Sequence, residues 1–491
     1  MRLKGLIKSN QILIKRFTVM SFMMMIILYI YSIQRSTKDA LIVTYVGAEL
    51  ISSIKLLGVL PMAIVFILAF TKMSDVLNKT KIFHIFNLTF IIFFLIFTFI
   101  LHPNLKYITF NLNSLKEIAP FFQYVIMMIE NWALSLFFIF SELWGSIMLS
   151  LLFWKTANQI FKINQAKVFY PLFGFLAQAG LFLSGFFTQT FTQQGSTTEA
   201  AWQSSLNNIN ISVAFAGVIL SILYFYLCNY LVDIKLINSV IKKKKVKMRF
   251  IAGMKYIFAS KYIRLIAALV ICYGVSINLV EGLWKAEAKL LYPNPSDYAR
   301  FMGKVQMITS IAAALSMLSG SFLLSFLTWK KSAMLTPIVI ALTGIPFFIF
   351  AIFDKSISGY FYFLTVSPVV ISVMAGSIQN IMSKSIKYSF FDPTKEMAYI
   401  PLSDNLKSKG KAAADVIGGR LGKSGGAFIQ FILLMIFPGA SLMSLAPILF
   451  LTFIIILIYW MRSVYLLSRK FEDASSNQNN SVDQLEGKKL A

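Results

Sequence analysis

Long apolar runs separated by short polar breaks fill the chain from end to end. Twelve of them approach the roughly 20 residues that a helix needs to cross a bilayer. They fall at 17–36, 51–71, 82–101, 120–154, 169–190, 209–231, 262–283, 302–328, 333–353, 358–383, 413–437 and 441–466. The fourth is too long for one simple crossing. It is predicted to start in the interface near Phe121 and to enter lipid near Asn131. Composition supports a membrane reading over a set of soluble cores. Hydrophobic residues make up 57% and charged residues 13%, against roughly 45–50% and 25% in soluble domains. A globule has too little interior for that much apolar side chain. A soluble enzyme, a disordered protein and a disulfide scaffold are all excluded.

The start, MRLKGLIKSNQILIKR, is short and basic. The apolar run behind it is unbroken from Met20 to Ile33 and has no small-residue cleavage site, so it reads as a first membrane helix. Net charge is +26, from 46 Lys and Arg against 20 Asp and Glu. With the N-terminus placed inside, 36 of those 46 fall in inside loops and the adjoining helix ends. That asymmetry predicts both termini cytoplasmic. Lys242 to Lys245, Lys247 and Arg249 concentrate in one central loop. They read as a topology anchor touching anionic membrane lipid, so no nucleic-acid partner is expected. The loop leaves six runs on each side. Six plus six around a long linker is the layout of the major-facilitator architecture. The expected fold is an all-α integral membrane protein of about twelve transmembrane helices in two six-helix bundles. Residues 1–235 form the N-terminal bundle, 236–261 a basic cytoplasmic linker, 262–468 the C-terminal bundle and 469–491 a disordered polar tail.

Cys228 and Cys272 each lie inside an apolar run and read as small packing residues. His84 and His102 have no Cys, His or acidic partner at metal-ligand spacing. No metal, no cofactor and no histidine catalysis are expected. Ionisable side chains at membrane depth are costly and are functional candidates by default. Four stand out. Lys38 follows the first run in QRSTKDA, beside Arg35 and Asp39. Glu142 lies in FFIFSELWGSIMLSLLFW, with largely apolar residues on both sides. Glu281 ends the seventh run in GVSINLVEGLWKAE, and Lys423 opens the eleventh in DVIGGRLGKSGGAFIQ. Each has a plainer competing reading. Lys38 and Asp39 would be loop charges or a local pair, and Glu281 would cap a helix end and pair with Lys285. Lys423 would snorkel to the interface. Glu142 is the hardest to dismiss. GGRLGKSGG misses the Walker A spacing, because the position five before Gly422 is Ile417. Its glycine backbone still permits close approach to an anion, with Arg420 and Lys423 as phosphate contacts.

The segments RSTKDALIVT, LPMAIVF, SELWGSIMLSLLFWKTANQI, YGVSINLVEGLWKAEAKLLYP, SIKYSFFDPTKEMAYIPL and KGKAAADVIGGRLGKSGG resemble the nucleotide transporter family, the ATP/ADP translocases of plastids and obligate intracellular bacteria. The likeness covers about residues 15 to 470 and is strongest in feel to the rickettsial members. It implies twelve helices and nucleotide exchange without hydrolysis. The family's charged positions fall by motif on Lys38, Glu142, Glu281 and Lys423, the four that the burial argument selects. Members similar to this chain carry ATP and ADP, others GTP, CTP or UTP, and some NAD.

The expected function is therefore antiport of ATP for ADP by a secondary transporter. Other nucleotides, or an organic anion or phosphate on the same fold, are the alternatives, and a membrane enzyme is a third class that lacks any supporting constellation. ATP and ADP are the expected partners, inorganic phosphate stays open, and a monomer is favoured. A cavity lined by Lys38 and Lys423, with Arg35 and Arg420, would offset the phosphate charge. Glu142 and Glu281 would hold the cations when no nucleotide is bound. The abundance of Lys, Ile, Phe and Asn resembles that of AT-rich genomes, and no transit-like stretch is seen. A bacterial inner membrane is expected before a plastid inner envelope.

Overall fold

The computed structural model describes all residues except 1, 162, 196, 233–259, 354–366, 403–409, 412–413, 416–417 and 488–491. Every regular element among the described residues is helical. The long helices are α1 (Arg2–Tyr45), α2 (Leu50–Val76), α3 (Thr80–Ile108), α4 (Trp132–Ile160), α5 (Ile163–Phe191) and α6 (Glu199–Leu231). They continue as α7 (Lys261–Leu291), α8 (Pro295–Phe326), α9 (Trp329–Ile352), α10 (Pro368–Met397), α11 (Gly419–Ile436) and α12 (Ala446–Gly487). Among the described residues, 11 helices are long and apolar enough to cross a membrane. The 18-residue α11 takes the place of the eleventh expected run, and its Gly-rich start carries Arg420 and Lys423. The described part of each long apolar run is thus largely helical, because in lipid only a helix satisfies every backbone group within one segment. The fold is an all-α, multi-pass membrane architecture.

Several boundaries differ from the runs, for a common physical reason. α1 does not stop near residue 36. It continues to Tyr45, so Lys38 and Asp39 lie inside a helix and not in a loop. It ends where Gly47, at φ +147°, donates its N–H to the Ile42 carbonyl, a turn that favours glycine. α7 likewise runs past Glu281 to Leu291. A charge ends an apolar run, but it does not end a helix when the surrounding protein supplies its partner. The fourth run does break as expected. The short helix Gln123–Glu130 ends at Asn131, and α4 begins at Trp132. α10 starts with Pro368 in its first turn, where a missing N–H costs nothing. The linker expected over 236–261 lies almost entirely outside the described residues. α12 runs on to Gly487, into the stretch 469–491 expected as a polar tail, whose last four residues lie outside the described residues. Extending a nucleated helix is far easier than starting one.

The chain divides into two compact units. The first is Met1–Lys244 with Ala288–Ile311, and the second is Lys245–Glu287 with Ala312–Ala491. In the first, α1 is the central post. Trp144 of α4 donates to the Ile27 carbonyl at 3.1 Å, and Gln34 donates to Asn210 of α6 at 2.7 Å. α5 approaches α1 so closely that a Cβ at Gly180 would stand 2.2 Å from the Met25 carbonyl oxygen. In the second unit, α7 packs on α10 through Trp284, which donates to the Val373 carbonyl at 3.1 Å. Both cysteines are buried and unbridged.

The glycines of GGRLGKSGG serve helix packing. A Cβ at Gly274 of α7 would lie 2.7 Å from the carbonyl carbon of Gly422, and one at Gly426 would lie 2.5 Å from Asn278 Cβ. Gly418, Gly422 and Gly426 recur every four residues, the spacing with which small residues let membrane helices touch. This close seam fixes the face that α11 turns outward, and Lys423 and Arg420 stand exposed on it. Gly274→Val is expected to lower the unfolding temperature in detergent, at a cost of about 1–3 kcal/mol. Gly419→Ala, whose added Cβ meets nothing nearer than 4.0 Å, is expected to behave as wild type. Thermal unfolding followed by intrinsic fluorescence checks both.

Candidate functional site

The last turns of α1 carry an unusual polar stretch, Gln34 to Asp39. All of it is buried except Arg35, which is half-buried. Ser36 and Thr37 turn their hydroxyls back to backbone carbonyls of the preceding turn, so they need no outside partner. Lys38 has no such option. Its side chain is 1% exposed, and its ammonium must find acceptors inside the protein.

It finds two carboxylates and a ring. Lys38 Nζ lies 2.9 Å from Asp39 Oδ1 and 3.0 Å from Glu142 Oε1. It also sits 3.7 Å from the centroid of the Phe138 ring, a cation–π contact that gains strength when desolvated. Phe138 and Glu142 are one turn apart on α4, so a single helix face supplies both the ring and the carboxylate. Glu142 keeps its side chain 23% exposed while Lys38 has almost none. The lysine is locked, and the carboxylate is the open member of the pair. Lys55 and Arg35 also lie within electrostatic reach of Glu142. The group therefore joins three cations to two carboxylates. The backbone around it is irregular: Lys55 sits on the π-helical turn Ile54–Val59 of α2, and a π-helical stretch, Gly145–Phe153, follows Glu142 in α4. Such widened turns are frequent at functional sites.

The second unit holds a different group. Residues 281 to 287 of α7 are all buried, with Glu281 6%, Lys285 2% and Glu287 4% exposed. Lys285 Nζ lies 3.4 Å from Glu281 Oε1, one turn away. Trp284 between them is pinned to α10. Gln430 of α11 fills the space over Gly282 and donates to the Asn278 carbonyl at 3.1 Å. Beyond the end of α10, Tyr399 donates to Asp415 at 3.0 Å, and Lys395 lies 3.4 Å from the same carboxylate. Burial pushes the Asp415 carboxyl up, with Lys395 opposing that shift. Burial beside Asp415 also raises the Tyr399 hydroxyl, which stays a donor at neutral pH.

Of the residues singled out from the sequence, Lys38, Asp39 and Glu142 come together, with Arg35 near them. Glu281 is paired with Lys285. Lys423 and Arg420 stand on the exposed face of α11. Two residues were missed. Lys55 lies inside the second apolar run, and a charge there was itself a signal. Glu287 follows Lys285 in KAEAK and looked like the start of a loop until α7 proved to extend through it.

A family profile described as TLC ATP/ADP transporter matches residues 6–471. The chain is 39% identical over 471 residues to ADP,ATP carrier protein 1 of Rickettsia bellii (strain RML369-C), covering 94% of each chain. It is 40% identical over 477 residues to ADP,ATP carrier protein 3 of Rickettsia prowazekii (strain Madrid E), covering 93% of this chain and 95% of that one. Among solved structures, a bacterial homologue of the iron transporter ferroportin, inward-facing, is similar at a TM-score of 0.60 and 12% identity over 94% of this chain and 99% of that one. A D-xylose–proton symporter is similar at 0.52 and 11% identity, covering 92% of this chain and 96% of that one. At such identities the likeness concerns the fold alone, which is major-facilitator-like.

Lys38→Met leaves Asp39 and Glu142 facing each other without their shared ammonium. It is expected to destabilise the nucleotide-free protein by about 3–5 kcal/mol. Lys116→Met breaks a pair with Glu130 (2.7 Å) in which the lysine side chain is 24% exposed, and is expected to cost about 1 kcal/mol or less. Unfolding midpoints of the two variants in detergent are the check. Equal small shifts would mean that Lys38 is solvated.

Proposed function

The chain belongs to the TLC ATP/ADP transporter family, and on that footing we propose that it exchanges ATP for ADP across a membrane by alternating access, hydrolysing neither. The observation that carries this reading is Lys38, a fully buried cation clamped between Asp39 and Glu142 at membrane depth. A lone buried ion pair is a weak source of stability. A buried cation whose one acceptor is partly exposed is suited to a ligand that displaces that acceptor.

Polyphosphate is such a ligand. Its oxygens accept charge-assisted hydrogen bonds from ammonium and guanidinium groups. In this proposal Lys38, Arg35 and Lys55 receive phosphate oxygens, and Glu142 gives up its place on Lys38 as they arrive. Asp39 stays on Lys38 throughout and fixes its position. In the second unit Lys423 and Arg420 supply further positive charge, and Glu281 with Lys285 sets the local balance on α7. The two six-helix halves, 1–235 and 262–468, are the moving parts, joined through 236–261 and followed by the tail 469–491. Exchange then has a physical basis. An empty site restores the Lys38–Glu142 clamp, which holds one conformation, whereas a nucleotide of either length releases it. A ligand shifts a conformational equilibrium only through such differential contacts. The Lys and Arg asymmetry supports cytoplasmic termini, and the rickettsial relatives support a bacterial inner membrane.

Liposomes carrying the purified protein, loaded with ATP, ADP, another nucleotide or nothing, test the reading. Labelled ATP is expected to enter only against internal ADP or ATP, and both nucleotides are expected to be recovered intact. Lys423→Ala is expected to slow exchange by about tenfold or more while the protein stays folded, the scale set by losing a hydrogen bond to a charged group. Equal uptake into empty liposomes, or phosphate release in step with uptake, would overturn the proposal.

A further inference from the structure

A cleft of about 410 Å³ runs between α3 and α6 on the outside of the first unit, walled by His84, Leu88, Ile91, Val218, Ile222 and Phe225. Its floor is set by Gly217, where a Cβ would meet Ile91 Cδ1 at 2.2 Å. Asn87 fastens that floor, donating to the Gly217 carbonyl at 2.8 Å and to Ser221 Oγ at 2.7 Å. The polar groups that shape the cleft are thus turned inward, and its walls are almost wholly apolar. Leu88, Val218, Ile222 and Phe225 are each more than half exposed. From His84 to Ile91 the cleft spans about 10 Å of helix, at 1.5 Å per residue.

One end is charged. Lys81, which is exposed, and His84 lie three residues apart on the face of α3 that continues into Leu88 and Ile91. Lys72, near the end of α2, is exposed as well and adds positive charge beside Asp75. Across the cleft, Tyr226 and Tyr230 are exposed and stacked, with centroids 5.6 Å apart. Paired aromatics and lysines of this kind mark the level of the lipid headgroups. The cleft therefore descends from a basic interface into the hydrocarbon.

We propose that this cleft is a binding site for one anionic phospholipid, with an acyl chain against Leu88, Ile91, Val218 and Ile222 and the headgroup phosphate against Lys81 and His84. The two parts match in sign and in depth. An apolar trough inside a bilayer has only lipid chains to fill it, and the basic end selects among headgroups, as basic pockets between membrane helices do. The site is separate from the Lys38 group and does not depend on the transport reading.

The test uses the full-length protein purified with defined lipids and analysed by native mass spectrometry. Phosphatidylglycerol and phosphatidylcholine with identical tails are offered in equal amounts. Wild type is expected to retain one phosphatidylglycerol in preference to phosphatidylcholine by about fivefold or more, the scale of one lysine near an anionic surface. Lys81→Glu is expected to erase the preference while a lipid is still held. Ile222→Trp, which fills the trough from the lipid side without touching its floor, is expected to lose the bound lipid. Unfolding temperatures of both variants confirm that they fold. No headgroup preference in wild type, or full retention by a folded Ile222→Trp, would overturn the proposal.

Discussion

Hydrocarbon cannot hydrate a charge, so every ionised group at membrane depth must be answered by the protein. Lys38 shows how far that requirement reaches. Its ammonium needs acceptors, and α1 supplies one from its own next residue, Asp39. The other must come from α4, which brings Glu142 and the Phe138 ring to it from one face. α4 can do so only because it is seated on α1 by Trp144 and faces Tyr31 across Gly145, where even a methyl group would not fit. Charge, ring and glycine are thus parts of one arrangement.

The second unit meets the same constraint by pairing within one helix. Glu281 and Lys285 are a turn apart on α7, with the buried Glu287 just beyond them. What α7 demands of its neighbours is proximity. Gly274 and Gly282 admit α11 closely enough for Gly422 and Gln430 to touch its backbone and side chains. One unit therefore holds a charged group assembled from several helices and partly open at Glu142. The other holds a buried pair along one helix, with Arg420 and Lys423 on an exposed face of α11. That difference is why the proposed release on nucleotide arrival is assigned to Lys38 and Glu142.

Most of the fold was legible in the sequence, because a bilayer leaves few choices to a long apolar run. Even the break before α4 at Asn131 could be read. The ends of α1 and α7 could not, since hydropathy falls at Lys38 and at Glu281 whether the helix stops or finds a partner. Glu142 stood out because its neighbours in sequence are largely apolar. Lys55 was equally visible inside an apolar run but was passed over. Lys285 could be weighed as a partner for Glu281 from its spacing alone, whereas the Lys38–Glu142 pair joins residues more than a hundred positions apart. The Gly-rich stretch before Lys423 pointed toward anion binding by composition. Its four-residue glycine spacing also points to helix packing, which the close approach to α7 bears out.

The central claim is that Glu142 holds Lys38 when nucleotide is absent and yields it when nucleotide binds. Glu142→Gln tests this most directly, with Glu130→Gln as a control that removes the same charge from a pair at the helix preceding α4. Nucleotide affinity and exchange rate are measured for both at equal amounts of folded protein in liposomes. The account predicts that Glu142→Gln binds nucleotide at least as tightly as wild type yet exchanges it about tenfold or more slowly, while Glu130→Gln behaves as wild type. Wild-type exchange by Glu142→Gln would contradict it.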